Sequence, residues 1–385
     1  MKELKDTSIL MISMDIGLLE ASGSGDVIAR HQQYAKHLKK LDIIVFGKSN
    51  KTENKLAVNF QVYGVGKNIF SFFKAKSLAT KLYQKNNYDL IDTQDPHWTG
   101  LLGLTLKKKF KTKLEIHFHG DFWQNNIWLN ESWKNKFYNF LQSKIVPQVD
   151  AIRVVNPRIK EKLITANIYA KKIKVINTPV NEEEFIRAVA EKDILAIKNQ
   201  YNKKIIFFAG RLVAAKNLIF LLEVVKLLYR KRNDFVLLVA GKGDEQENLV
   251  NFVNNNNLEE VVFLLGPQKH QDLVTYFKAA YIHVLLSTNE SFGKTIIEAG
   301  MTGLATLASK TLGASFIIKD NSTGWLVDIN DLDNTVTKLN NLLDSPDEVI
   351  QVGNRAKQDF VEHHGQTKTF QKVNDFWQEI INDQL

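Results

Sequence analysis

The stretch Glu290-Ser-Phe-Gly-Lys-Thr-Ile-Ile-Glu298 decides how the rest of the chain is interpreted. It follows an apolar run at residues 282–286, which predicts a buried strand, and it leads into a helix predicted to end near Met301. Glycine in the intervening turn lets the backbone approach a ligand, and the free N–H groups of the first helical turn favour an anion. Glu290 and Glu298 flank that position and could hold sugar hydroxyls on either side of a pyrophosphate. By itself, the spacing favours a simpler interpretation, an N-cap carboxylate followed by an exposed helical glutamate.

Predicted strands and helices alternate along the chain, which indicates an α/β fold. A chain of 385 residues exceeds what one hydrophobic core usually organises, so two domains are expected. The alternation breaks at residues 178–181, and the irregular and then helical stretch to about Tyr201 is predicted to link the domains. A second alternating series starts at residues 205–209.

The composition is that of a water-soluble globular protein, with 44% hydrophobic and 24% charged residues. The absence of cysteine excludes a disulfide framework and a thiolate metal site. The charged N-terminus leads directly into a predicted strand, and no apolar run reaches the length of a membrane span. The sequence therefore predicts a cytoplasmic location.

Basic residues are concentrated in the first half of the chain. Residues 1–180 hold 29 Lys and Arg against 15 Asp and Glu, a net charge of +14, whereas the remainder holds 22 against 27, a net charge of −5. This asymmetry suggests a polyanionic partner or an anionic membrane surface for the first domain, and a solvated lysine-rich surface explains it equally well. A nucleic-acid partner is disfavoured because no aromatic–basic motif for base stacking is found.

Four glycine-containing or basic loops are candidates for contact with a phosphate or a nucleotide. Gly23-Ser24-Gly25 separates a strand from a helix, a position that can lie close to a diphosphate or sugar, although no third glycine completes a dinucleotide fingerprint. Arg211 and Lys216 lie one loop apart and could reach the same phosphates. Gly241-Lys242-Gly243 turns into a helix, and Gly266 ends a strand where backbone groups could hold a nucleobase.

His119 follows the strand predicted at residues 113–118, and open α/β sheets place ligands at that end of their strands. It is therefore a candidate for sugar contact or charge stabilisation, and His117 could compete for that role. Trp123, Trp128 and Trp133 could stack on sugars or meet lipid headgroups, and packing is an equally good explanation for them.

Together, these segments resemble the retaining glycosyltransferases of family 4, which have the GT-B fold. The resemblance rests on Gly210-Arg211 with Lys216, Gly241-Lys242-Gly243, residues 290–299, residues 322–327, Gln94-Asp95-Pro96 and His119-Gly120-Asp121-Phe122. It implies two Rossmann-like parallel-sheet domains that face each other across a cleft. The first would span residues 1–182, joined by a C-terminal helix at 368–385, and the second, at 183–367, would bind the nucleotide sugar.

The resemblance also implies a role for individual residues. Arg211 and Lys216 would hold the diphosphate, Glu298 the ribose and Glu290 the donor sugar, while His119 would face the reacting sugar. The residues predicted to bind the donor are Gly25, Arg211, Lys216, Gly241, Gly266, Glu290, Ser291, Phe292, Gly293, Lys294, Thr295 and Glu298. One departure is Phe316, which stands where the family often has an acid.

The implied activity is transfer of a sugar, with retention, from a nucleotide-diphosphate sugar to a hydroxyl acceptor that is lipid-linked or a polysaccharide, in cell-envelope glycan synthesis. Arg211, Lys216 and the helix N-terminus would stabilise the leaving diphosphate, so no metal and no cofactor is expected. The enzyme would work at the inner face of the cell membrane as a peripheral protein. Two alternatives are a nucleotide-sugar epimerase of the same architecture and a non-catalytic membrane-binding module.

Overall fold

The computed structural model describes residues 1–20, 27–49, 51–68 and 70–385, apart from the side chain of residue 127. The chain divides into two compact units. The first contains Met1–Thr178 together with Thr369–Leu385, and the second contains Pro179–Lys368. Each unit is built on its own, mostly or entirely parallel, β-sheet.

The first unit contains an eight-stranded sheet in the order β3-β4-β2-β1-β5-β6-β7-β8. The strands are β1 (Ser8–Ser13), β2 (Lys40–Phe46), β3 (Glu53–Ala57), β4 (Phe60–Gly66), β5 (Leu90–Thr93), β6 (Lys113–Phe118), β7 (Ala151–Val154) and β8 (Ile173–Val175). All neighbours pair in parallel except β3 and β4, which form an antiparallel hairpin at the sheet edge. The strand β3 was not predicted, because its sequence Glu-Asn-Lys-Leu-Ala has one large apolar side chain and lacks an alternating pattern.

Among the described residues of the first unit, six helices lie between its strands. They are α1 (Val27–Lys36), α2 (Ser71–Lys85), α3 (Trp98–Phe110), α4 (Asn126–Glu131), α5 (Trp133–Ile145) and α6 (Pro157–Thr165). The helix predicted around residues 131–145 is confirmed as α5, which begins two residues later, whereas the separate short helix α4 was not predicted. Ser132 divides them because its backbone is extended and its side chain accepts a hydrogen bond from the N–H of Lys134, as an N-cap does.

The second unit contains a six-stranded sheet in the order β11-β10-β9-β12-β13-β14, parallel throughout. The strands are β9 (Lys204–Ala209), β10 (Phe235–Ala240), β11 (Val262–Gly266), β12 (Ile282–Leu285), β13 (Thr306–Ser309) and β14 (Trp325–Val327). Their apolar runs fit strands that helices cover on both faces. The strand order reverses between β9 and β12, and open α/β sheets bind ligands beside such a reversal.

Nine helices belong to the second unit among its described residues. They are α7 (Glu182–Ile186), α8 (Glu191–Tyr201), α9 (Leu218–Tyr229), α10 (Gln246–Asn255), α11 (His270–Ala279), α12 (Lys294–Met301), α13 (Leu312–Ile317), α14 (Leu332–Leu343) and α15 (Pro346–His364). The helices expected in the stretch predicted as an interdomain link are present as α7 and α8, and they pack on the second unit, α7 on α12 and α8 on α11. Asp331 is the N-cap of α14, since its side chain accepts a hydrogen bond from the N–H of Asn334.

The last helix, α16 (Gln366–Ile381), packs on the first unit. Its buried Val373, Phe376, Trp377 and Ile380 join the apolar core that β1, β2 and β4 contribute. The indole Nε1 of Trp377 donates a hydrogen bond of 2.9 Å to Oε2 of the buried Glu115. Among the helices that the structure describes, none has both the length and the apolar content that crossing a membrane requires.

We expect Trp377→Phe to lower the free energy of unfolding by about 1–3 kcal/mol, because it leaves a buried carboxylate oxygen without its donor. Urea unfolding followed by circular dichroism measures the loss. The control is Trp325→Phe, since the indole nitrogen of this equally buried tryptophan has no hydrogen-bond partner among the described residues. Equal losses in the two variants would contradict a stabilising role for the hydrogen bond to Glu115.

Candidate active site

Two loops meet at the carboxyl edge of the second sheet, where the strand order reverses. One loop follows β9 and the other follows β12, and these strands are neighbours. The side chain of Asn217 donates to the carbonyl of Leu286 at 3.1 Å, and the N–H of Thr288 donates to the carbonyl of Ala215 at 3.0 Å. Hydrogen bonds that involve the backbone therefore hold the two loops together.

Lys216 and Glu290 form an ion pair between these two loops, from Nζ to Oε2. The two side chains keep 16% and 17% of their surface exposed, so a ligand can reach the pair from solvent. Arg211 lies in the same loop as Lys216 and is exposed. The loop after β9 thus presents two cations beside a carboxylate at the ligand-binding edge of the sheet.

The turn from Glu290 to Gly293 leads into α12 through a backbone conformation that favours glycine. Gly293 is the N-cap and has φ +87°, and a Cβ there would lie 2.9 Å from Cδ1 of Ile296. Gly313 holds the turn from the other side, since its N–H donates to the carbonyl of Glu290 at 2.7 Å and a Cβ would come within 2.6 Å of the Phe292 backbone. The N–H groups of the first turn of α12 point towards the N-terminus of the helix, and the positive end of the helix dipole there favours an anion.

Glu298 is nearly buried on α12, with 3% of its surface exposed, and cations contact its carboxylate. Its Oε1 lies 3.2 Å from Nε2 of His270 and 3.4 Å from Nζ of Lys294. His270 also bonds Oε1 of Glu184 through Nδ1 at 2.9 Å. Burial alone lowers the pKa of His270, but the hydrogen bonds to Glu184 and Glu298 outweigh it and raise the pKa to about 9. His270 is therefore an imidazolium at neutral pH and orients Glu298.

His270 and Glu184 were not identified from the sequence. Glu184 lies 86 residues before His270 and falls in the stretch predicted as a link. No local spacing marks either residue, because the fold alone brings α7, α11 and α12 together. A lone histidine that opens a helix after a Gly-Pro turn is the only sequence signal available for His270.

Gly241 and Gly266, both predicted to bind the donor, lie where the backbone geometry accounts for a glycine. A Cβ on Gly241 would overlap the carbonyl oxygen of Gly210, so the loops after β9 and β10 can touch only with glycine there. The N–H of Gly241 donates to the carbonyl of Gly266 at 2.9 Å. Gly266 has φ +68° and open space where its Cβ would point, which leaves room for a ligand beside its backbone. Gly25, and the Gly23–Gly25 loop with it, lies outside the described residues.

His119 is exposed at the carboxyl edge of the first sheet, next to the end of β6. Its Nε2 lies 3.0 Å from Oε1 of Gln94, which follows β5. His117, by contrast, is buried and unavailable to a ligand at that edge. Its Nε2 lies 3.3 Å from Asp92 and 3.1 Å from Glu115.

Asp92, Glu115 and His117 form a buried cluster that the sequence analysis missed. Their ligand atoms lie within 4.8 Å of one another, a spacing that could hold a metal ion. Burial alone lowers the pKa of His117, but the charges of Asp92 and Glu115 outweigh it and raise the pKa to about 9. A protonated His117 therefore offsets part of the negative charge of the two acidic groups that it contacts, and their spacing has an explanation without a metal.

The three tryptophans near this edge differ in environment. Trp123 is buried, and Trp128 stacks on the buried His97 with ring centroids 5.4 Å apart. Burial lowers the pKa of His97 to about 4, so its ring is neutral and suited to stacking. Trp133 keeps 74% of its surface exposed. Of these three tryptophans, Trp133 alone has most of its surface available for contact with another molecule.

Family models match both units of the chain. The model described as glycosyl transferases group 1 matches residues 190–359, and the model described as glycosyltransferase family 4 matches residues 29–184. The chain belongs to the family 4 glycosyltransferases. The enzyme class expected from the sequence is thereby confirmed.

Curated relatives of this glycosyltransferase act in different settings. The UDP-Gal:alpha-D-GlcNAc-diphosphoundecaprenol alpha-1,3-galactosyltransferase of Escherichia coli is 25% identical over 82% of this chain and 82% of its own. A poly(ribitol-phosphate) alpha-N-acetylglucosaminyltransferase of Staphylococcus aureus is 25% identical over 55% of this chain and 42% of its own.

Solved structures establish the fold of the glycosyltransferase as GT-B. Sucrose-phosphate synthase from Thermosynechococcus elongatus superposes with a TM-score of 0.82 at 18% identity, covering 98% of this chain and 100% of its own. HepE from Anabaena in complex with UDP-glucose superposes with a TM-score of 0.78 at 15% identity, covering 97% and 99%. At such identities the likeness concerns the fold alone, and it confirms the predicted fold class of two Rossmann-like parallel-sheet domains.

We expect the stability contributed by His270 to depend on pH. Its pKa is about 9 in the folded protein and 6.5 ordinarily, so the contribution is complete below about pH 6.5 and is lost as the pH rises through about 9. His270→Gln should therefore cost on the order of 2 kcal/mol at pH 6 and little above pH 9. Thermal unfolding of both proteins across this pH range measures the difference. His37→Gln, at an exposed histidine, is the control, and a cost for His270→Gln that stays constant with pH would contradict the assignment.

Proposed function

We propose that this glycosyltransferase moves a sugar from a nucleoside-diphosphate sugar to a hydroxyl group of a glycan acceptor, with retention of anomeric configuration. The observation that carries the proposal is the Lys216–Glu290 ion pair beside the N-terminus of α12. Cations, a carboxylate and the N-terminus of a helix converge there at the carboxyl edge of the second sheet. A diphosphate bound to a sugar requires this combination of groups.

The donor diphosphate binds to Lys216, Arg211 and the N–H groups of Lys294 and Thr295. These groups stabilise the negative charge that develops on the leaving diphosphate, and their orientation is fixed before the donor arrives. The phosphates compete with Glu290 for Lys216, which frees the carboxylate to accept hydrogen bonds from hydroxyls of the donor sugar. In this proposal the transfer requires no divalent metal and no cofactor, because the protein supplies the positive charge.

The ribose binds at Glu298. A carboxylate accepts hydrogen bonds from two adjacent ribose hydroxyls, and His270 and Lys294 hold this one in a fixed orientation. Because these cations already neutralise Glu298, the carboxylate does not repel the nearby phosphates strongly. In this proposal the nucleobase contacts Gly266, and the open space beside the backbone of that residue supports the assignment.

The proposed chemistry is a same-face substitution at the anomeric carbon. The bond from that carbon to the diphosphate oxygen breaks while the acceptor oxygen forms a new bond on the same face. The acceptor proton passes to the departing phosphate oxygen, so no enzymic carboxylate forms a covalent intermediate. The predicted contact of His119 with the reacting sugar remains a prediction.

We further propose a uridine nucleotide in the donor and a lipid-linked saccharide as the acceptor. Support comes from the solved complex of HepE with UDP-glucose and from the name of the Escherichia coli relative, which gives a diphosphoundecaprenol acceptor. The net charge of +14 in residues 1–180 is consistent with an acceptor at an anionic membrane surface. The enzyme would then act on the cytoplasmic leaflet as a peripheral protein.

We expect Lys216→Ala and Glu298→Ala each to reduce sugar transfer by about a hundredfold or more, since each removes a charged contact to the donor. Release of UDP from a UDP-sugar in the presence of acceptor measures the activity, and circular dichroism shows whether the fold is retained. Arg211→Ala should reduce transfer without changing thermal stability, because its exposed side chain has no ion pair among the described residues.

The matched control is Lys226→Ala, which removes a surface ion pair with Glu223 on α9 and should leave activity unchanged. Full activity in both Lys216→Ala and Glu298→Ala would refute the donor site. Turnover of the donor sugar without any acceptor, giving an epimerised nucleotide sugar, would favour the epimerase alternative.

A further inference from the structure

The helix α5 exposes a stripe of large aromatic side chains. Trp133, Phe137 and Phe140 keep 74%, 47% and 56% of their surface exposed. Their spacing of four and three residues places them on one side of the helix. A helix at the surface of a water-soluble protein normally presents polar side chains there, so this stripe marks an interaction surface.

Lysines share the exposed side of α5 with the aromatic stripe. At about 100° per residue, Lys144 falls within the stripe, and Lys134 and Lys136 flank it on opposite sides. The Nζ of Lys144 lies 5.7 Å from the ring centroid of Phe140. The sequence of α5 contains no aspartate or glutamate, so its exposed face is aromatic and basic without compensating negative charge.

The opposite face of α5 is firmly packed, so the exposure of the stripe is not a fraying helix end. The buried Gln142 donates from Nε2 to the carbonyl of Phe122 at 2.8 Å and to Oδ1 of Asn139 at 2.7 Å. Tyr138 stacks on His97 with ring centroids 5.2 Å apart and planes 9° apart. These contacts fix the rotation of the helix and therefore the direction in which the aromatic stripe faces.

The helix α2 adds a second exposed aromatic pair on the same side of the first sheet. Phe70 and Phe73 keep 67% and 66% of their surface exposed, and Lys74 beside them is also exposed. Both α2 and α5 pack against α3. Because α2 follows the end of β4 and α5 ends shortly before β7 begins, both helices begin at the carboxyl edge of the sheet. His119 lies at that same edge of the first unit.

We propose that the exposed face of α5, formed by Trp133, Lys134, Lys136, Phe137, Phe140 and Lys144, docks on an anionic phospholipid bilayer. Aromatic rings of this kind settle at the level of the lipid headgroups, and the lysines are attracted to anionic lipids. The inference rests on the proposed function, since a lipid-linked acceptor must be collected from a membrane. A second copy of the chain is a poorer occupant, because a symmetric dimer through this face would bring like charges together.

Co-sedimentation with vesicles tests the surface. We expect the protein to bind vesicles of phosphatidylglycerol and phosphatidylcholine, and Phe137→Ser with Phe140→Ser to weaken that binding at least about tenfold. Replacing Lys134, Lys136 and Lys144 together by Gln should weaken binding by about a hundredfold at low salt, and high salt should weaken the unmodified protein similarly. Ile350→Ser is the control, since Ile350 is an exposed apolar side chain of the second unit, 59% accessible, and should not alter binding.

Thermal stabilisation by UDP, measured on the same variants, separates this inference from the proposed function. The variants of α5 should keep the stabilisation, because they leave the second unit unchanged. Vesicle binding that is equal in the variants and the unmodified protein would overturn the inference. So would the absence of vesicle binding combined with a dimer that the Phe137→Ser, Phe140→Ser variant dissociates. Vesicle binding without any sugar transfer would support the docking of α5 on the bilayer and would contradict the proposed function instead.

Discussion

The parallel pairing of β9 with β12 is the constraint on which the candidate site depends. Ile206 pairs with Ile282 and Phe207 with His283 in the middle of the second sheet. His283 is fully buried there, and burial lowers its pKa to about 3, so its side chain is neutral. Its Nδ1 lies within hydrogen-bond distance, 3.0 Å, of Oγ1 of Thr306. This pairing sets the ends of two strands side by side. Residues 74 positions apart in the sequence, Lys216 and Glu290, consequently form an ion pair.

The site pairs each of its carboxylates with a cation before any donor is present. Glu290 contacts Lys216, and Glu298 contacts His270 and Lys294. Under the proposed function, a nucleoside diphosphate that binds here would exchange charged partners and would avoid the free-energy cost of burying an unpaired charge. The paired groups would also be oriented in advance, so less reorganisation would accompany the development of charge on the leaving diphosphate.

Local sequence patterns predicted most strands and helices because long apolar runs and glycine turns dominate them. The helix from Lys294 to Met301 follows from an apolar run typical of a buried strand and a glycine in the turn after it, both visible in the sequence. The edge strand β3 and the short helix α4 were missed, since polar and aromatic residues there blur the hydrophobic period. The contacts of His270 with Glu184 and Glu298, and the cluster of Asp92, Glu115 and His117, join separate elements, so only the tertiary structure reveals them.

For the first unit, the amino-acid composition left the kind of partner undecided. Its excess of lysine was equally compatible with a solvated surface and with an anionic partner. The exposed aromatic rings of α5 favour the membrane surface that we propose, because solvation explains lysines but does not explain three aromatic rings in water. The exposed fractions of the aromatic side chains thus give information about a partner that the amino-acid composition does not.

A crystal structure of the enzyme with UDP tests the central claim most directly, namely that the second unit grips a diphosphate at the start of α12. The account predicts phosphate oxygens about 3 Å from Nζ of Lys216 and from the backbone nitrogen of Lys294 or Thr295. Phosphates bound elsewhere, with Lys216 still paired to Glu290 alone, would contradict it.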